Sequence, residues 1–139
     1  MNIAVLGASS KPDRYSFKAM RLLREKGYVP YPVHPALPEV DGLPAWPSLS
    51  AIPAQIDTVT VYLSARNQQP LAEQLLNSDV RRVIFNPGAE NPELAEQLRQ
   101  RGKEVLHACT LVLLTTGEFA KPADKAAPPR SAALETNPS

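Results

Sequence analysis

Few side chains in this sequence are placed to do chemistry, and the most informative of them come first. Gly7-Ala8-Ser9-Ser10 follows a short apolar run directly, and a helical pattern opens a few residues later. Small residues let a backbone come close to a phosphate, while free N–H groups and a helix dipole favour negative charge there. Ser9, Ser10 and Ser16 add hydroxyl donors, and Lys11 and Arg14 add cations. The chemistry implied is the seating of a phosphate-bearing ligand. The competing reading is a tight turn with solvated side chains, and a first turn this small and hydroxyl-rich favours the ligand.

The other reactive side chains are scattered. His34 stands at a predicted strand end, where it borders a ligand or caps the strand. His107 reads as a structural hydrogen-bonding group, with no neighbour in sequence to make it a base. Cys109, in HACTLVLL, has the apolar setting of an inert packing thiol rather than of a redox centre. Glu90 either accepts a hydrogen bond from a ligand or answers the dipole of the helix that follows it. Tyr62 and Phe85 read as packing at strand ends. No nucleophile–base pair, carboxylate dyad or metal cluster emerges, so no catalytic residue is assigned. One Cys with two His is too few for a Cys/His zinc site.

Composition narrows the class further. The 139 residues fit one domain, and 43% of them are hydrophobic, enough for a packed interior. Fifteen Lys+Arg against 14 Asp+Glu leave no basic surplus for a nucleic-acid binder that relies on bulk charge. The start MNIAVLGASS lacks the basic region of a signal peptide, and no stretch approaches the ~18 apolar residues of a membrane span. The expected location is cytoplasmic, with no membrane partner.

Alternating strand and helix patterns must position these residues. Asn2–Leu6 reads as a buried strand ended by Gly7. Tyr15–Lys26 places Ser16, Ala19, Met20 and Leu23 on one face, with Lys18, Arg21 and Glu25 opposite, and closes at Gly27. Further strands are predicted over Tyr28–Val33, Thr58–Leu63, Arg82–Phe85 and Lys103–Leu106. A helix over Asn67–Leu76 puts Leu71, Ala72, Leu75 and Leu76 on one face. Another opens at Asn91-Pro92, presents Ala95 and Leu98 to the sheet and ends before Gly102. The order implies an α/β, Rossmann-like three-layer sandwich. Its five-stranded parallel sheet is predicted in the order 3-2-1-4-5, with helices on both faces.

Two stretches resist this pattern. Pro30 and Pro32 lie two apart in the second strand and remove two N–H groups from one side of its ladder. The Pro-rich region His34–Asp57 is expected to be a compact crossover with one helical turn around Ser48–Ile52, pinned to the sheet by Trp46 and Leu49. The domain is placed at 1–119. Ala120–Ser139, whose only large apolar side chain is Leu134, is expected to be a flexible tail.

A dinucleotide reading fits poorly. G-x-G-x-x-G would need glycines at 9 and 12, where Ser9 and Pro12 stand, and an acid at the end of strand two, where the chain reads Val33-His34-Pro35. NAD is disfavoured. NADP meets no repelling acid there, but it finds no Arg either.

Several blocks in order carry a resemblance: VLGASSKPDRYSFKAMRLL, GYVPYPVHP, GLPAWPSLSAIPAQID and NPGAENPELAEQLRQRGKEVLHACTLVLL. Together they resemble the CoA-binding domain family, small stand-alone proteins similar to the N-terminal domain of the succinyl-CoA synthetase alpha subunit. The resemblance runs from about Asn2 to Phe119. It implies that Gly7, Ala8, Ser9 and Ser10 hold the pyrophosphate of coenzyme A, with Arg14, Tyr15 and Ser16 closing over it. Val33, His34 and Pro35 would border the adenosine. Leu63, Ser64 and Arg66 would flank the adenine or its phosphates, and the loop Asn86, Pro87, Gly88 to Glu90 would meet the pantetheine arm.

The function read from all this is binding of CoA or an acyl-CoA by a module without evident catalysis of its own. The alternatives are an NAD(P)- or other nucleotide-binding Rossmann enzyme, or a regulatory partner subunit of a CoA-ligase. A homodimer through an exposed helix or the LVLLTTGEF segment is compatible with the sequence.

Overall fold

Strand Asn2–Leu6 (β1) alternates its side chains between two interiors. Ile3 and Val5 enter one hydrophobic cluster and Ala4 and Leu6 the other, and all four are buried. A strand covered on both faces belongs inside a parallel sheet. The computed structural model describes residues 1–120. Within them β1 lies between β2 (Val29–Val33) and β5 (Thr58–Val61), followed outward by β6 (Arg82–Phe85) and β7 (Glu104–His107), all parallel. A short antiparallel hairpin, β3 (Glu39–Val40) and β4 (Leu43–Pro44), forms a separate two-stranded sheet.

The fold class is the one predicted, a parallel α/β Rossmann-like sheet, but the strand order differs. Counting only the five predicted strands, it is 2-1-3-4-5 and not 3-2-1-4-5. Every residue of β5 is buried, which an edge position outside β2 would not allow. That edge is taken instead by Trp46, which makes a single parallel bridge with Val33. Trp46 N–H donates to Pro32 O at 2.9 Å, and His34 N–H donates to Trp46 O at 2.9 Å. The two prolines therefore direct their missing donors to the outer flank. Toward β1 the ladder holds, with Val29 N–H on Met1 O and Ala8 N–H on Val33 O.

Helices cover both faces. Helix α1 (Tyr15–Glu25) buries Ser16, Phe17, Ala19, Met20 and Leu23, the predicted stripe with one addition, and packs in one cluster with α5 (Thr110–Thr116) and Phe119. The predicted helix over Asn67–Leu76 is divided into α2 (Ala65–Gln68), a 3₁₀ turn containing Pro70, and α3 (Ala72–Leu76). Pro70 lacks the N–H that a continuous helix needs. Helix α4 (Pro92–Gln100) starts as expected, with Asn91 Oδ1 accepting the Leu94 N–H at 3.2 Å. The crossover contains the expected turn, a 3₁₀ segment Leu49–Ala51, and Leu49 is buried. The LVLLTTGEF segment forms α5 and the following turn. It buries Leu114 and Phe119 and leaves Val112 as its exposed large aliphatic residue. Of the expected tail, Ala120 closes the 3₁₀ turn Glu118–Ala120, and residues 121–139 lie outside the described residues.

The crossover hairpin is tied to α1 by charge. Asp41, at the tip with φ 52°, receives Arg21 Nε at 3.1 Å and Arg24 Nη1 at 3.2 Å. Hydrogen bonding from Arg21 holds the Asp41 carboxyl below its ordinary value. At the amino edge of the sheet, Arg81 bridges Asp57 at 3.0 Å and Glu104 at 3.1 Å. Arg82 is interior, 1% exposed, with Nε on Thr58 Oγ1, Nη1 on Phe119 O at 2.7 Å and the guanidinium 4.5 Å from the Phe119 ring centroid. Among the described residues no helix is long and apolar enough to cross a membrane.

Candidate functional site

β1 passes into the first turn at Gly7, whose φ is +86°. A Cβ there would stand 3.1 Å from the Leu63 side chain and 3.2 Å from the Tyr62 carbonyl carbon, so both the conformation and the space require glycine. Ala8, 3% exposed, anchors the turn, and Ser9 Oγ accepts the Lys11 N–H at 3.1 Å. Arg14 N–H donates to Lys11 O at 3.1 Å and so delivers the chain to α1. Arg14 is the cap residue, but its side chain bonds none of the first-turn N–H groups, and the first turn holds no acid. No side chain caps the N–H groups at the positive end of the eleven-residue α1 dipole.

A cleft of about 770 Å³ opens above this turn at the carboxyl ends of β1, β2 and β5. On one side it is lined by Gly7, Ala8, Ser9, Ser10, Lys11 and Arg14. Val33, His34, Pro35, Leu37 and Pro47 form a second wall, and Tyr62, Leu63, Asn67, Pro70 and Leu71 a third. Its lining holds two cations and no carboxylate. A ligand at this place sits where the crossovers diverge to either side of β1, the usual seat for ligands in open α/β sheets. A second cleft, about 840 Å³, lies toward the amino ends of β5 and β6. Glu73 and Asp79 line it with no Lys, Arg or His, the wrong sign for a phosphate.

The predicted residues divide cleanly. Gly7, Ala8, Ser9, Ser10, Lys11, Arg14, Val33, His34, Pro35 and Leu63 are brought together in the cleft. Tyr15 is 67% exposed beside it, next to Lys18, and Ser16 is buried under α1. Ser64 caps α2, and Arg66 lies exposed on that helix; neither lines the cleft. Pro87, Gly88 and Glu90 belong to the turn after β6, also outside the lining. Leu37, Pro47, Tyr62, Asn67, Pro70 and Leu71 line the cleft without having been singled out as ligand contacts. Tyr62 and Asn67 had a signal in their place, directly before Leu63 and directly after Arg66.

The turn after β6 is closed by its own hydrogen bonds. Buried Asn86 donates to Thr60 Oγ1 at 2.7 Å and to Val61 O at 2.9 Å, and its Oδ1 accepts the Thr110 N–H at 2.8 Å. Thr60 and Thr110 hydroxyls are 2.7 Å apart. Gln68 Nε2 ties Leu63 O and Ala89 O together. Glu90 accepts the Gly88 N–H at 3.0 Å, and its own backbone amide and that of Gly88 hold its carboxyl below the ordinary value. Beside this network Tyr62 keeps a buried hydroxyl with no well-formed hydrogen bond. Burial pushes it up to about 12, with the Thr110 and Thr60 hydroxyls opposing, so it remains a phenol at neutral pH. His107 stacks on Phe85, with ring centroids 5.5 Å apart, and half-buried Cys109 precedes α5.

Residues 1–115 match the family model described as a CoA binding domain. The chain belongs to this family of CoA-binding domains. YneT of Bacillus subtilis (strain 168) is 33% identical over 104 residues, which is 75% of this chain and 77% of YneT. A crystal structure of an uncharacterized protein superposes with a TM-score of 0.75 at 36% identity, covering 85% of this chain and 97% of that one. A hypothetical protein from Pyrococcus horikoshii OT3 gives a TM-score of 0.75 at 31% identity, covering 79% of this chain and 78% of its own.

Proposed function

We propose that this protein binds coenzyme A, free or acylated, in the cleft above the Gly7–Arg14 turn, and does no chemistry of its own on it. One observation carries this reading: the cleft combines Lys11, Arg14 and an uncapped α1 N-terminus with no carboxylate in its lining. That combination suits a diphosphate, which needs backbone N–H groups, a dipole and cations in one place. The apolar rim of Tyr62, Leu63 and Leu71 suits the adenine or the start of the pantetheine arm. The proposed place of action is the cytoplasm.

The test is a thermal-shift panel of CoA, acetyl-CoA, NAD, NADP and ATP on the full chain. A ligand present at 100 times its Kd adds roughly 2.7 kcal/mol to stability. Selective stabilisation by CoA and its thioester is the expected result. Stabilisation by NADP alone, or by none of the five at millimolar concentration, overturns the reading. Ser9→Leu should abolish the CoA response while leaving the ligand-free melting temperature nearly unchanged. Unchanged CoA affinity in that variant would place the ligand elsewhere.

A further inference from the structure

The second wall of the cleft is made from both ends of the crossover. Val33, His34, Pro35 and Leu37 precede the β3–β4 hairpin, and Pro47 follows it. The base of this wall rides on the main sheet, through the bonds between Trp46 and the end of β2. Its outer part belongs to the separate hairpin, whose ladder is lengthened by the Ala45 N–H on Pro38 O at 3.0 Å. The hairpin turns through Asp41 and Gly42, with φ 52° and 81°. Positive φ at both central residues is the type I′ pattern, for which Asp-Gly is a preferred pair.

The tip of the hairpin is carried to α1. Buried Val40 joins Phe17, Met20 and Leu23 in one cluster. Arg21 grips the Asp41 carboxylate with two donors, Nε on Oδ2 at 3.1 Å and Nη2 on Oδ1 at 3.2 Å. Arg24 Nη1 donates to Oδ2 at 3.2 Å and to the Asp41 carbonyl at 3.4 Å. A single exposed ion pair contributes little, but a bidentate guanidinium with a second donor on the same carboxylate fixes a geometry. Helix α1 is thus attached at two places. Arg14, at its cap, lines the cleft, and Arg21, seven positions on, holds the hairpin. Asp41 itself lies outside the lining.

We infer that Asp41 is a positioning residue for the ligand: through Arg21 and Arg24 it holds the β2 wall at a set distance from the first turn, so the cleft has its binding shape before CoA arrives. A wall already in place spares the entropy of ordering it on binding. The inference rests on the CoA reading above and concerns how the same cleft is kept open.

Calorimetric titration of CoA into the full chain and two variants tests it, at physiological ionic strength, where fields beyond about 8 Å are largely screened. Asp41→Asn tolerates the positive φ and removes a negative charge, and its amide cannot take the bidentate grip. Arg21→Gln combined with Arg24→Gln breaks the same clamp and removes two positive charges. Both variants should bind CoA roughly three- to tenfold more weakly, with ligand-free melting temperatures within a few degrees of the parent. Putting all three changes together should weaken CoA no further than the double change, since the clamp is already gone. Opposite shifts in the two variants would mean that the field of these charges acts and the clamp does not. Unchanged affinity in both overturns the inference and leaves the CoA reading intact, whereas failure of the parent chain to bind CoA removes the two together. Hydrogen exchange gives a second readout. The Ala45 amide should exchange faster in ligand-free Asp41→Asn than in the parent and recover its protection when CoA is added; equal exchange in the two ligand-free proteins overturns the assignment.

Discussion

Two strand-to-helix turns stand on the same carboxyl edge of the sheet, and the chain has treated them in opposite ways. The turn after β6 consumes its polar groups internally: Asn86 alone makes three side-chain hydrogen bonds, and Gln68 joins Leu63 to Ala89. The turn after β1 keeps its polar groups for something else. Apart from Ser9 Oγ on the Lys11 N–H, its side chains are not bonded within the turn among the described residues, and its helix start is uncapped. A saturated turn adds stability and offers little to a ligand. An unsaturated, cationic turn beside a cleft contributes less to stability and more to binding.

The contrast can be broken most severely at Asn86. Asn86→Ala leaves the Thr110 N–H and the Thr60 hydroxyl short of a partner in a buried place, and should cost roughly 3 kcal/mol. Thermal denaturation should show a fall on the order of 10 °C; a change of only a degree or two would mean the network is incidental. Next in size is the combined change of Lys11→Ala and Arg14→Ala. It should weaken CoA by roughly 10- to 100-fold, with stability altered by no more than about 0.5 kcal/mol. Calorimetry and a melting curve on the same preparation separate these, and a destabilised variant with intact affinity would reverse the roles of the two turns.

Gly7→Ala lies between the two categories. The positive φ and the 3.1 Å approach to Leu63 should cost roughly 1–3 kcal/mol and also displace the turn, so melting temperature and affinity fall together. The smallest effect is expected away from both turns, at Asp57. Burial opposes its ionisation, but the bonds from Arg81 and Thr58 outweigh burial and hold its folded value below the ordinary one. The unfolded chain then binds more protons in that interval. This share of stability is complete above roughly pH 4–5 and lost as the pH falls through the folded value. Asp57→Asn should flatten the acid limb of a stability–pH curve, cost about 1 kcal/mol near neutrality and leave CoA affinity unchanged.

Much of this was legible because the signals were local. The β-branched run Thr58–Val61, the stripe of α1, and Asn91 with Pro92 each declare their structure within a few residues. The first turn was legible for the same reason: a strand, small residues, hydroxyls and a helix start lie in one short stretch. What escaped depends on distant partners. The strand order turned on Trp46 taking the flank of β2, a single rung with no strand pattern around it. The hairpin after Leu37 depends on Asp41 meeting Arg21 and Arg24, some 20 and 17 positions back in the chain. Buried Arg82 has no periodic signature, since its partner Phe119 lies 37 positions away. In the site, the contribution of Tyr62 to the cleft wall was hidden because a tyrosine at a strand end reads first as packing.

The outer flank of β2 has a consequence for the protein in a crowded solution. Strands left open at the side of a sheet recruit further strands, and that is how many folded chains begin to form fibres. Here two of the five residues on that border are imino acids turned outward, and an indole-bearing segment already occupies the last rung. A foreign chain seeking to extend the sheet on this side finds donors missing at alternate steps. The border that looked like a weakness in the ladder works as a stop.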